Sequence, residues 1–110
     1  MRLKKEYLQK AEQIKAILEK EYNKHYTYRE LEAMVGIGKL SLQLAFKAVT
    51  KLNVYEYLTK IRIENAKYLL ENTDLTVNEI ADRVGLHKTN FNKQFKKHNN
   101  KTPAQWRRDL

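Results

Sequence analysis

A shift of 49 residues lays one half of this 110-residue chain over the other. Thr27 falls on Thr76, Glu30 on Glu79, Val35-Gly36 on Val84-Gly85, Lys39 on Lys88 and Phe46-Lys47 on Phe95-Lys96. Where the residues differ their type is kept: Leu31 meets Ile80, Ile37 meets Leu86, Leu42 meets Phe91, Asn53 meets Thr102 and Tyr57 meets Trp106. Apolar positions fall on apolar ones, turn glycine on turn glycine, and helix-start residue on helix-start residue. Such a repeat constrains the fold more than any other feature, because one supersecondary unit must be built twice from the same pattern.

The pattern is helical. A capping box needs Ser or Thr to accept from the N3 amide, and Glu or Gln at N3 to reach back. Thr27-x-x-Glu30, Thr76-x-x-Glu79 and Thr102-x-x-Gln105 fit it, and Asn53-x-x-Glu56 is a weaker version. Pro103 follows Thr102 at the first helical position, where its missing N–H costs nothing. These starts predict helices over residues 3–22, 28–35, 39–50, 54–71, 77–84, 89–98 and 103–108. Leu3, Tyr7, Ala11, Ile14 and Leu18 form an apolar stripe on the first, and Leu58, Ile61, Ala66, Leu69 and Leu70 are the buried positions of the fourth.

Each repeat then reads as a capped helix of about eight residues, a glycine turn and a basic amphipathic helix, the outline of a helix-turn-helix. Gly36 and Gly85 sit where the first helix of each pair ends and the chain must reverse. The expected fold class is all-α: seven helices forming two helix-turn-helix subdomains joined by a long linker helix. Residues 1–53 form the N-terminal helix plus the first subdomain, 54–72 the linker helix and 73–110 the second subdomain.

Composition enters as exclusion. No cysteine is present, which removes disulfide scaffolds and thiolate metal sites. His25, His87 and His98 are scattered without acidic residues at ligand spacing, so no metal, cofactor or catalytic residue is expected. No glycine-rich phosphate loop or nucleophile motif occurs, and the chain is read as not an enzyme. A first segment charged throughout and the lack of any long apolar run predict a cytoplasmic protein that does not use a membrane. The net charge of +9 asks for an anionic partner. Residues 33–55 carry three lysines and no acid, residues 56–82 carry three basic and six acidic side chains, and residues 83–110 carry eight basic side chains against Asp109 alone. Positive charge therefore collects on the second helix of each repeat, where nucleic acid would be met.

Residues 62–70 (RIENAKYLL), 75–86 (LTVNEIADRVGL), 91–97 (FNKQFKK) and 101–107 (KTPAQWR) give the chain a resemblance to the C-terminal DNA-binding domain of AraC/XylS-family transcription regulators. The resemblance covers residues 27–108. It implies two helix-turn-helix units on a linker helix, with both recognition helices inserted into successive major grooves of double-stranded DNA. The chain departs from the family pattern in three places. The second turn lacks the usual extra residue, which leaves His87 and Lys88 at the helix start; Asn100 replaces a glycine; and Leu44 replaces the arginine common on the first recognition helix.

On this reading Lys39, Leu40, Gln43 and Lys47 line the groove side of the first recognition helix, with Gln43 the base reader and Leu40 against a thymine methyl. The matching surface of the second is Lys88, Thr89, Asn90, Asn92, Lys93 and Lys97, with Asn92 and Lys93 toward base edges and Lys97 toward phosphate. The alternative is a helical protein-interaction module that has lost specific DNA binding. RNA polymerase, and a separate ligand-sensing or dimerisation domain, are further partners that family members suggest. A stand-alone regulator and a DNA-binding fragment of a larger one both remain open.

Overall fold

The computed structural model describes residues 3–110, and among these every regular element is helical: α1 (Lys5–Lys20), α2 (Tyr28–Val35), α3 (Lys39–Thr50), α4 (Val54–Asn72), α5 (Val77–Val84), α6 (Lys88–Asn99) and α7 (Pro103–Arg108). The chain divides into two compact units, residues 1–58 and 59–110, so the division falls within α4.

In the first unit α1 packs chiefly on α3, and Ala11, Ile14 and Leu18 meet the core that also holds Leu31, Val35, Leu42, Ala45 and Phe46. Leu3 and Tyr7, the N-terminal part of the predicted stripe, are only half-buried. Helix α1 is also shorter at both ends than the 3–22 expected. Lys4 is extended and offers no side-chain cap, and Glu21 leaves helical geometry at φ −126°. Tyr57 stacks edge-on against Phe46 at 5.5 Å between ring centroids and donates its hydroxyl to Glu19.

The second unit repeats this arrangement. Phe91, Phe95, Ile80, Ala81 and Val84 are buried, and Trp106 meets Phe95 edge-on at 6.0 Å. Its indole N–H donates to Glu71 at 3.1 Å. In each unit the aromatic ring that follows the helix-turn-helix therefore covers the second helix's phenylalanine. Each ring's polar tip goes to a glutamate on the helix that precedes the pair. Edge-to-face geometry adds to burial because the ring edge is positive and the face negative.

Of the four predicted capping boxes, those at Thr76 and Thr102 form in both directions. The weaker Asn53 version forms too: Asn53 N–H donates to Glu56 at 2.9 Å and Glu56 N–H to Asn53 Oδ1 at 2.8 Å. The Thr27 box is half made. Thr27 Oγ1 accepts from Glu30 N–H at 3.1 Å, while its hydroxyl turns to the Glu30 carboxylate instead of leaving that group to the Thr27 amide.

Helix α4 runs one residue past the expected end, to Asn72, whose side-chain amide donates back to Tyr68 O. Leu69 is half-buried, whereas Val54, Ile63 and the 7% exposed Arg62 join the buried set of α4 unforeseen. Beyond that helix Arg107 supplies what the loop lacks. Its guanidinium donates to the carbonyls of Leu70, Thr73 and Leu75, tying α7 to the segment that leads into α5. Carbonyls left over at a helix end need such donors.

Candidate nucleic-acid interface

The turn before each second helix is set by glycine. Gly36 and Gly85 adopt left-handed φ of 71° and 85°, a region closed to most L-residues, and their N–H groups close the last turn of α2 and α5. After two more residues the second helix begins, α3 at Lys39 and α6 at Lys88, again 49 apart. The expected later start of α6 at residue 89 is thus corrected. His87, extended at φ −66°, accepts from Thr89 N–H through Nδ1 at 3.4 Å and so serves as the cap. Both helices end in a left-handed residue other than glycine, Lys51 at φ 68° and Asn100 at φ 62°. Asn100, which stands where the family pattern has glycine, takes a conformation that asparagine tolerates better than most residues.

At about 100° per residue, the side chains of α3 divide cleanly. Leu42, Ala45 and Phe46 are buried. The line opposite them runs through Leu40, Leu44 and Lys47, all exposed. Lys39 lies to the side, its ammonium 5.1 Å from the Tyr28 ring centroid, and Gln43 is half-buried between the two faces. Of the four residues expected on the groove side of α3, Leu40 and Lys47 therefore lie on the outward line. Gln43 and Lys39 flank it, and Leu44 joins it.

In α6, Phe91 and Phe95 are buried and the outward line runs through Thr89, Lys93 and Lys96. Lys96 was missed, although it is the repeat partner of Lys47. Lys97 pairs with Ala48 and flanks the line together with Asn90; all three cations at 93, 96 and 97 are exposed. Asn92 is half-buried and donates to Lys88 O at 3.1 Å, and Asn90 accepts from the Gln94 amide at 3.3 Å. These bonds leave the Asn90 NH2 and the Asn92 Oδ1 for another partner.

The electrostatics favour α6. It carries Lys88, Lys93, Lys96 and Lys97 without an acid, against Lys39 and Lys47 on α3. Much of the remaining positive charge after α6 is already engaged. Arg107 is spent on carbonyls, and Lys101 and Arg108 both meet the Asp109 carboxylate, at 3.1 and 3.5 Å. Those contacts, the Lys101 bond first, hold the exposed Asp109 carboxyl below its usual range. No helix among the described residues is long and apolar enough to cross a membrane.

Comparison with known proteins places this geometry. A family model described as a helix-turn-helix domain matches residues 31–109. The Msm operon regulatory protein of Streptococcus mutans is 28% identical over 99 residues, which cover 89% of this chain and 36% of that protein. The C-terminal domain of AraT, a response regulator from Geobacillus stearothermophilus, superposes with a TM-score of 0.87 at 28% identity. That match covers all of this chain and 89% of the other. The DNA-binding domain of the global transcriptional factor AdpA, solved in complex with a target DNA, shares the fold at a TM-score of 0.85 and 21% identity, covering 90% of each chain. The chain spans between 24 and 36% of the length of the curated relatives it matches first.

Proposed function

The chain belongs to the helix-turn-helix domain family of AraC/XylS-type transcription regulators, as their C-terminal DNA-binding domain, and from that membership we propose that it binds double-stranded DNA sequence-specifically to regulate transcription. The observation that carries this reading is the paired outward lines of α3 and α6, each in the position of a recognition helix and each free of acidic residues. Recognition helices of this kind place base-reading side chains in the major groove while flanking cations hold phosphate. Two such helices in one chain call for two half-sites in successive major grooves.

In the first unit Gln43 bonds an adenine edge while Lys39 and Lys47 hold the backbone. In the second, Lys93 reaches base edges from the outward line with Thr89 and Asn92 beside it. Lys88, Asn90, Lys96 and Lys97 set register on the phosphates. The reading assigns no catalytic step and no cofactor. Its place of action is the cytoplasm. RNA polymerase, and a sensing or dimerising domain such as the longer relatives have room for, are the further partners it implies.

Selection of bound sites from a library of random duplexes tests the reading. The expected product is a pair of half-sites about one helical turn apart, about 10 base pairs centre to centre. Lys93→Ala should then weaken binding to the selected site by about 1–3 kcal/mol. Unchanged affinity and specificity in that variant count against the assigned face of α6. One observation favours a second reading, a protein-interaction module: two leucines stand on the outward line of α3. Affinity for duplex that does not fall with added salt would select it, because phosphate contacts release counterions.

A further inference from the structure

Leu40 is 64% exposed and Leu44 38% exposed, one turn apart on the outward line of α3, where a solvated helix face ordinarily carries polar side chains. Their repeat partners in α6 are Thr89 and Lys93. Lys47 continues their line, Lys39 lies to its side over the Tyr28 ring, Lys51 follows at the end of α3, and residues 33–55 contain no acid. An apolar patch built for a protein partner is usually depleted of lysine at its core. A lysine-flanked patch on a helix of this class instead matches the major groove, which offers phosphates on both sides and methyl groups on its floor.

Resting on the DNA-binding reading above, we propose that the first recognition helix reads its half-site through thymine methyl groups, with Leu40 and Leu44 as the specificity-determining residues. In the major groove thymine presents its C5 methyl beside the O4 acceptor, cytosine an N4 amine donor, and guanine the N7 and O6 acceptors. A leucine gains buried surface against the methyl. Against the cytosine amine or the guanine O6 it displaces water and returns no hydrogen bond, so those bases are rejected.

Spacing limits the pattern further. Side chains at i and i+4 lie about 5–6 Å apart, and bases on one strand rise about 3.4 Å each. The two leucines therefore meet thymines at successive or alternate positions of one strand, with Gln43 on the flank of their line to bond an adenine. The first half-site is A·T-rich. The second, facing Thr89, Lys93 and Lys96, is not so restricted.

The test begins from the duplex that the full chain selects out of a random library. That duplex is resynthesised with deoxyuridine for thymine in one half-site at a time, a change that deletes the methyl and nothing else. Uracil in the half whose preference responds to Gln43→Ala should weaken binding about fourfold per contacted methyl, the factor given by about 0.8 kcal/mol for one buried carbon. Leu44→Ala and Leu40→Ala should each lose part of that response, binding thymine and uracil duplexes more nearly alike. Tight, salt-dependent binding that ignores uracil in this half overturns the inference and leaves DNA binding intact. A uracil effect undiminished in both leucine variants overturns it as well. Failure of every duplex to bind in a salt-dependent way, including capture of a protein partner through the same leucines, overturns the DNA reading and this inference with it. The nucleotide substitution leaves the protein untouched, so no loss of folding can imitate its result.

Discussion

Glu79 joins a helix start to the chain's response to acid. Its carboxylate accepts from Thr76 N–H at 3.2 Å while its own N–H donates to Thr76 Oγ1 at 3.1 Å. The bond from the Thr76 backbone, then the Thr76 side chain, holds the Glu79 carboxyl below the usual glutamate value. A carboxyl lowered in the folded state stabilises that state fully above its unfolded pKa, about 4.3, and loses the contribution as pH falls through the folded value. Glu79→Gln keeps a box-forming side chain, as Gln105 does in α7, but cannot titrate. The melting temperature of the parent should therefore fall more steeply than that of Glu79→Gln between pH 5 and pH 3. Parallel profiles would show that the carboxylate contributes nothing through its charge. Residues of this kind are legible in sequence because cap and partner lie three positions apart. The outward place of Lys96 is legible too, through its repeat partner Lys47. Arg107 was not: its acceptors lie 32 to 37 residues away and are carbonyls, whose orientation no side-chain pattern records.

At the scale of elements, the helix ends carry the repeat further than side-chain identity does. Helices α1, α4 and α7 begin at residues 5, 54 and 103, at intervals of 49, and α3 and α6 at residues 39 and 88. The starts of α4 and α7 were readable because their caps are side chains. The exact ends of α1 were not, since neither Lys4 nor Glu21 is a capping residue type. Left-handed residues are readable when they are glycine or asparagine, as at Gly36 and Asn100, and Lys51 is neither. Gly36 and Lys51 share nearly the same φ, 71° and 68°, yet one is suited to it and the other strained. A Cβ at Gly36 would meet nothing within 4 Å, so Gly36→Ala isolates the backbone cost and should destabilise by about 1–2 kcal/mol. Lys51→Gly should stabilise, by about 0.5–1 kcal/mol, since relief of the left-handed strain is partly offset by a freer unfolded chain. Urea titrations of the two variants decide the matter. A shift of the same sign in both would mean that the turns are held by something other than φ.

For the molecule as a whole, charge alone distinguishes the two units poorly. Residues 1–58 hold eleven basic and seven acidic side chains, and residues 59–110 eleven and six. The asymmetry appears only on the helices that meet DNA in the proposed reading, where α6 carries four lysines and α3 two. Phosphate contacts govern how affinity falls with salt, by about 0.9 in the logarithmic slope for each neutralised phosphate. Base contacts leave that slope alone and change which sequence is preferred. The two units should therefore fail differently when cut. Lys96→Ala or Lys97→Ala should weaken binding almost uniformly across sequences and lower the salt slope by about 1. Gln43→Ala should leave the slope in place and alter the preference of one half-site. Fluorescence anisotropy at several salt concentrations, on the selected duplex and on versions scrambled in either half, separates these outcomes. If Gln43→Ala lowers the slope as much as the lysine variants do, Gln43 is a phosphate contact and not a base reader. If neither lysine variant moves the slope, Lys96 and Lys97 do not meet the backbone.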